Sequence, residues 1–380
     1  MGIRVLALID TFRIGGPGKQ LIAFCKAAPA CGLTVRLAAF LRRPLKTSPF
    51  IESCCAEGLA VRIFEERFPF DPRLPSLLRS DLVENRIDLL QTHSYKANVI
   101  GALLSSRMRR EGIRWVAYLH GMTDENLKVR LYYALELWAV RYADGIVPVS
   151  EAIGRVVAAR LGRSGARLEV ISNALLPEAA PDPRTRERAR RDLGASDDAI
   201  VIGVVGRLSR EKGQGILIEA LARLNNQNVL ALLVGEGPDE PDLKRRVGEL
   251  GLNGRVRFMG YRNDMTVIYS GMDLAVIPSL SEGIPNVALE AMGRAIPLVA
   301  SAVGGLPEMV VDHKSGLLVP PGDADALARA IRFLADHPEE RRRIGEAGRA
   351  AAEARFSMAE RMKRVRAFYD RLMTPPVPHG

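Results

Sequence analysis

AIVIGVVGRLSREKGQGILIEALARL, residues 199–224, contains a strand, a glycine-bearing loop and a helix in succession. Ala199–Val205 is a continuous apolar run, as expected of a parallel strand covered on both faces, and Gly213–Leu224 reads as a helix. The same unit repeats in both directions. Downstream, strands are expected at Val229–Val234, Val256–Met259, Leu274–Pro278, Ile296–Ala300 and Gly316–Val319, with helices between and after them. Upstream, Arg4–Ile9, Thr34–Phe40, Leu59–Ile63, Asp88–Gln91, Arg114–Leu119, Gly145–Pro148 and Leu168–Ile171 read as strands that alternate with helical stretches. Such alternation makes the chain α/β, with doubly wound parallel sheets.

With 380 residues, and about 150 residues to a domain, two domains are expected. The Pro- and Ala-rich stretch Pro177–Pro183 is the linker candidate, which divides the chain into 1–178 and 179–355. Residues 356–380 add a last helix and a frayed tail, Thr374–Gly380. Ser357 and Glu360 have the spacing of a capping box at the start of that helix. In doubly wound sheets ligands sit outside the carboxyl ends of the strands, so the loops there carry the candidate chemistry.

Composition narrows the class. Apolar residues make up 47% and charged residues 26%, as in globular proteins, and no stretch reaches the roughly 18 apolar residues of a membrane span. The N-terminus runs straight into a strand without a charged leader, so no signal peptide is expected. The net charge of +10 favours anionic partners, including phosphorylated substrates and acidic membrane surfaces. The Arg runs Arg184–Arg191 and Arg341–Arg343 read as solvated helix faces; no aromatic residues interleave with them, and no nucleic acid is expected as a partner. Cys25, Cys31, Cys54 and Cys55 lack a zinc spacing and read as buried free thiols in a reducing cytoplasm.

The segment from Ser279 to Met292, SLSEGIPNVALEAM, follows the strand Leu274–Pro278. Seven residues separate Glu282, in the loop, from Glu290, in the helix that follows. That helix begins near Asn286 and Val287, where the positive end of its dipole suits a phosphate or sugar oxygen. Gly283 permits close backbone approach, and the two carboxylates can accept hydrogen bonds from sugar and ribose hydroxyls. After Ala199–Val205, Gly206 is followed by Arg207 and Lys212, two cations able to neutralise a diphosphate. Gly15 and Gly16 open a loop before a helix, and His120 ends the apolar run Trp115–Leu119. His93, after Leu89–Gln91, reads equally as structural or acceptor-side.

Taken in order, these motifs resemble the retaining glycosyltransferase family 4. The matching segments are Gly15-Gly16, His120-Gly121, Val149–Glu151, Ser172-Asn173, Val205–Leu208 with Lys212-Gly213, Val234–Gly237, Glu282 to Glu290, and Gly304–Glu308, and they span nearly the whole chain. The resemblance implies a GT-B fold, in which two Rossmann-like domains face each other across a cleft. The first domain would bind a glycan or lipid-linked acceptor and the second a nucleotide sugar, with UDP or GDP as the nucleotide. It also implies that the final helix crosses back to the first domain. Arg207 and Lys212 would clamp the diphosphate, Glu282 and His120 would contact the sugar, and Glu290 would hold the ribose. Gly16, Gly206, Gly283, Asn286 and Val287 would line the donor. The implied reaction is hexosyl transfer (EC 2.4) with retention, in bacterial cell-surface polysaccharide assembly on the cytoplasmic side of the membrane. No cofactor and no essential metal are expected.

Several features have plainer readings. Ser150 and Asp323 are placed to cap helices, so Asp323-Ala-Asp325 is read as a cap, not a metal pair. The stretch Leu127–Val140, with Tyr132, Tyr133, Leu135 and Trp138, reads as a core-facing helix, with membrane contact as the alternative. Two rival functions share the architecture: a nucleotide-sugar epimerase, which would need acid/base groups over the sugar ring, and a non-catalytic assembly subunit. The four charged residues Arg207, Lys212, Glu282 and Glu290 argue against the second.

Overall fold

The computed structural model describes residues 2–121, 127–162, 165–176, 183–196, 198–224 and 228–374. They form two compact units, each built on one parallel sheet. Unit 1 comprises Met1–Ala174 together with Met358–Gly380; unit 2 is Leu175–Ser357.

Unit 1 contains β1 (Ile3–Ile9), α1 (Gly16–Ala27), β2 (Leu33–Arg42), α2 (Pro49–Ala56), β3 (Val61–Glu66), α3 (Leu74–Glu84), β4 (Leu89–His93), α4 (Tyr95–Arg110), β5 (Arg114–Leu119), α5 (Leu127–Ala139), β6 (Gly145–Pro148), α6 (Glu151–Leu161) and β7 (Arg167–Leu168). Its strand order is β3-β2-β1-β4-β5-β6-β7, reversing between β1 and β4. Unit 2 contains α7 (Pro183–Asp192), β8 (Ile200–Val205), α8 (Gln214–Arg223), β9 (Val229–Val234), α9 (Glu240–Glu249), β10 (Val256–Gly260), α10 (Met265–Gly271), β11 (Leu274–Ile277), α11 (Asn286–Gly293), β12 (Leu298–Ser301), α12 (Leu306–Met309), β13 (Leu317–Val319), α13 (Ala324–Asp336) and α14 (Pro338–Arg355). Its order is β10-β9-β8-β11-β12-β13, reversing between β8 and β11. Both sheets are of the doubly wound kind expected. Each sheet has a buried apolar core of its own.

The last helix, α15 (Met358–Met373), packs into unit 1, where Met362, Val365, Phe368, Tyr369 and Leu372 join the core. A β-carbon at Gly145 would come within 2.8 Å of both Phe368 and Leu372, so the bare glycine of β6 lets this helix lie close. Buried Arg361 of α15 donates to Gln20 Oε1 at 2.6 Å, and Gln20 brackets the backbone of Ala174 through two further bonds.

Some elements differ from expectation. Residues 177–182 of the linker candidate lie outside the described residues, and Pro183 opens α7. That helix has almost no apolar residues. It is anchored by Arg186 and Arg190, which reach Asp273 at 2.6 and 2.9 Å, so this Arg run is in part a structural clamp and not wholly a solvated face. Helix α2 has only 8 residues and was not expected; Ser48 caps it by accepting from the Ile51 amide. The strand expected at Leu168–Ile171 is reduced to Arg167–Leu168, although the Ile171 amide still bonds the Pro148 carbonyl. Of the tail, residues 375–380 lie outside the described residues. Cys25 and Cys54 are buried as expected, whereas Cys55 is exposed. Among the described side chains of α5, Glu136 and Ala139 are buried, Tyr132, Tyr133 and Leu135 are half-buried, and Leu131 and Trp138 are exposed. Among the described residues no helix is long and apolar enough to cross a membrane.

Candidate active site

In unit 2 the charged candidates gather at the carboxyl ends of β8 and β11, where the strand order reverses. After β8 the chain passes Gly206, Arg207 and Leu208, makes a short turn over Arg210–Lys212, and enters α8 through Gly213. Gly213 has φ of +69°, and a β-carbon there would collide with the carbonyl oxygen of Pro278 at the end of β11. Only glycine allows the two loops to touch. The Leu280 amide bonds the Glu211 carbonyl at 2.7 Å, which ties the loops together a second time.

This contact carries Lys212 to Glu282. Lys212 Nζ donates to Glu282 Oε1 at 2.8 Å, and Ser279 Oγ donates to the same oxygen at 2.7 Å. The Glu282 side chain is only 7% exposed and that of Lys212 29%, so the cation borders solvent while its carboxylate partner is nearly covered. Behind them Gly304, with φ of +56°, lies against the Glu282 carbonyl, and the Gly305 amide bonds Gly283 O at 2.8 Å. A β-carbon at Gly304 would strike Glu282 O.

Arg207 is exposed beside this pair in sequence, and its carbonyl accepts from Gln214 Nε2 at 2.9 Å. Asn286 and Val287 form the first turn of α11, which has no acidic side chain. Glu290, one turn further, is buried; Tyr269 Oη donates to its Oε2 at 2.7 Å. Burial and the neighbouring carboxylate raise the Tyr269 hydroxyl well above its ordinary value, so it stays a donor. Arg294 lies over the Tyr269 ring at 4.5 Å and bonds the Glu290 carbonyl. The structure thus joins Lys212 directly to Glu282 and places Glu290 on the helix that begins at Asn286.

His120 and Gly16 belong to unit 1. Gly16 begins α1, with Gly15 as N-cap and Pro17 in the first turn. His120 follows β5, and its Nε2 lies 2.7 Å from Nδ1 of His93 at the end of β4. His93 Nε2 in turn lies 2.7 Å from Gln91 Nε2, and Gln91 Oε1 accepts from Tyr369 Oη of α15 at 2.6 Å. Burial pushes both imidazoles down, His120 to about 3, with the charge of Arg361 adding to the effect. Both rings are neutral near pH 7.

Residues 185–351 match the family model for "Glycosyl transferases group 1", and residues 14–178 match that for "Glycosyltransferase Family 4". The chain is 31% identical to the 2-deoxystreptamine glucosyltransferase of Streptomyces kanamyceticus over 68% of its own length and 69% of the relative's. The chain belongs to glycosyltransferase family 4. The family 4 enzyme is also 38% identical to a lipopolysaccharide core biosynthesis glycosyltransferase, LpsD of Rhizobium meliloti, over 50% of this chain and 53% of that one. Among solved structures, Anabaena Alr3699/HepE in complex with UDP and glucose matches at TM-score 0.83 and 25% identity, covering 97% of this chain and 100% of the other. The fold is GT-B, and the chain is a transferase.

Ser279, Tyr269, Gln91 and Tyr369 were not foreseen in this glycosyltransferase. Ser279 lies inside the segment that was singled out, where a hydroxyl three residues before a carboxylate was the available signal. Tyr269 and Tyr369 sit in ordinary helical apolar positions, and nothing local distinguishes them. The caps predicted at Ser150 and Asp323 are formed: Ser150 Oγ accepts from the Ile153 amide at 3.2 Å, and Asp323 Oδ1 from the Ala326 amide at 2.8 Å.

Proposed function

We propose that the enzyme transfers a hexosyl unit from a UDP-sugar to a glycan or lipid-linked acceptor with retention of configuration. The observation that carries this reading is the Lys212–Glu282 pair at the strand-order reversal of unit 2, where doubly wound sheets hold ligands. A cation at the solvent border, with its counter-charge nearly covered, suits a diphosphate, and Glu282 then faces the sugar. Arg207 adds a second cation for the leaving diphosphate. Glu290, whose Oε2 accepts from Tyr269 Oη, lies on the helix that begins at Asn286 and would accept from the ribose hydroxyls. Gly206, Gly283, Asn286 and Val287 supply backbone to the same donor. By the family resemblance, Gly16 is assigned to the donor phosphate and His120 to the sugar.

The complex of HepE with UDP and glucose supports uridine as the base. The lipopolysaccharide relative supports a role in polysaccharide assembly, at the cytoplasmic face of a bacterial membrane that the basic surplus would favour. Retention follows front-face attack, in which the leaving diphosphate oxygen accepts the acceptor's proton. No side-chain nucleophile is required, and catalysis rests on stabilising the leaving charge.

Thermal melts of the protein with UDP, GDP, UDP-glucose and GDP-mannose test the donor. UDP-glucose at a hundred times its dissociation constant should raise stability by about 2.7 kcal/mol. If only the guanosine ligands shift the melt, the base is wrong. Slow UDP-glucose hydrolysis followed by proton NMR should release the α anomer first; release of β-glucose would exclude retention.

A further inference from the structure

The polar chain that ends at His120 has a fixed direction. Tyr369 Oη donates to Gln91 Oε1, which leaves the amide NH2 of Gln91 facing His93 Nε2. An amide nitrogen only donates, so His93 Nε2 accepts and the single proton of this neutral ring sits on Nδ1. His93 Nδ1–H then donates to His120 Nε2, which puts the proton of His120 on its own Nδ1. The opposite amide orientation would reverse every bond. Tyr369 would then donate to Tyr118 Oη, 3.1 Å away, and the hydroxyl hydrogen of fully buried Tyr118 would lose its acceptor. At the other end, His120 Nδ1 is shielded from solvent and has no partner among the described residues. The His93 ring stacks on Tyr118 at 4.8 Å and on His120 at 5.0 Å, which holds the imidazoles in line.

We propose that Gln91, His93 and Tyr369 are positioning residues that hold His120 as the Nδ1–H tautomer, so that its unpartnered N–H donates to an oxygen of the donor sugar. Helix α15, the last element of the chain, thereby sets the hydrogen-bonding character of a residue at the end of β5. A histidine held this way can only donate from its Nδ1, and being neutral it leaves no charge to neutralise when the site is empty. The inference rests on the reading of His120 as a donor-sugar contact.

Selective 15N-histidine labelling of the full chain reads the tautomers directly, since only five histidines are present. Long-range nitrogen–proton correlation at pH 7.5 should show His93 and His120 both protonated on Nδ1. UDP-glucose should shift the His120 Nδ1–H signal, and UDP alone should leave it in place. Gln91→Glu places acceptor oxygens at both ends of that side chain, so His93 must donate from Nε2 and His120 should switch to Nε2–H. Turnover in sugar transfer should then fall about 100-fold with the KM for the donor little changed. If that variant fails to fold, Tyr369→Phe removes the first donor alone and should yield mixed tautomers and about a threefold to tenfold loss of turnover. His120 protonated on Nε2 in the unmodified protein would overturn the proposal. So would a switched tautomer with undiminished turnover, or a Tyr369→Phe protein with unmixed tautomers. The spectra decide the relay even if Lys212→Ala leaves transfer intact, an outcome that would instead reject the donor reading of unit 2.

Discussion

Lys212 is held by a carboxylate that is itself held by a serine hydroxyl, so its position does not depend on a bound ligand. A preorganised cation of this kind costs no rearrangement when charge develops on a leaving diphosphate. Lys212→Ala should lower kcat by about 10²–10³, as measured by steady-state transfer, while leaving the fold intact by circular dichroism. Turnover within twofold of the parent would remove this residue from catalysis. A second titratable group is buried away from these residues. Glu136 of α5 accepts from Asn98 Nδ2 at 2.7 Å, and burial raises its carboxyl from 4.5 to about 7. Because the folded state binds this proton more tightly than the unfolded chain, stability should fall as pH rises from about 4.5 to about 7 and level off above. The loss from this group is about 3 kcal/mol. Glu136→Gln keeps the acceptor for Asn98 and should abolish that slope, so it should help far more at pH 8 than at pH 5. Urea melts at the two pH values measure this, and parallel profiles for parent and variant would refute the buried proton.

At the level of elements, the site is assembled by strand-to-helix loops that touch through bare backbone. The collision a β-carbon at Gly213 would make with Pro278 O couples the loop after β8 to the loop after β11, and Gly304 repeats the device against Glu282 O. Glycine pairs were legible in the sequence as turns. That each one abuts a particular carbonyl was not, because the partner strand is set by sheet order and not by neighbours in sequence. Helix ends were readable for the opposite reason: a cap is an interaction over three residues. Asp323, capping α13, should therefore act on stability alone. Asp323→Ala should cost about 1 kcal/mol in denaturant melts and leave transfer unchanged. A loss of turnover comparable to that of Lys212→Ala would assign this carboxylate a role beyond the cap. The Arg184–Arg191 run was legible as helical, but its anchoring was not, because α7 is held ionically through Arg186 and Arg190 to Asp273, a partner more than 80 positions away.

For the whole molecule, the positive charge around the donor is proposed to come from Arg207, Lys212 and the start of α11, with no divalent cation needed. Transfer assayed in excess EDTA should then proceed at the full rate; loss of activity restored by magnesium would show a metal to be required. The alternation of strands and helices, the doubly wound class and the identities of the charged loop residues were determined by the sequence itself. These depend on periodicity, glycine placement and capping, which act within a few residues along the chain. Tertiary structure alone decided that Lys212 meets Glu282 across 70 positions and that Tyr369 reaches Gln91 across 278. It also decided which side chains of the last helix enter the core of the first unit, a placement that the family resemblance had implied. Contacts of that range follow from which strands are neighbours and which helix covers them, and a local pattern of apolar residues is compatible with many such arrangements.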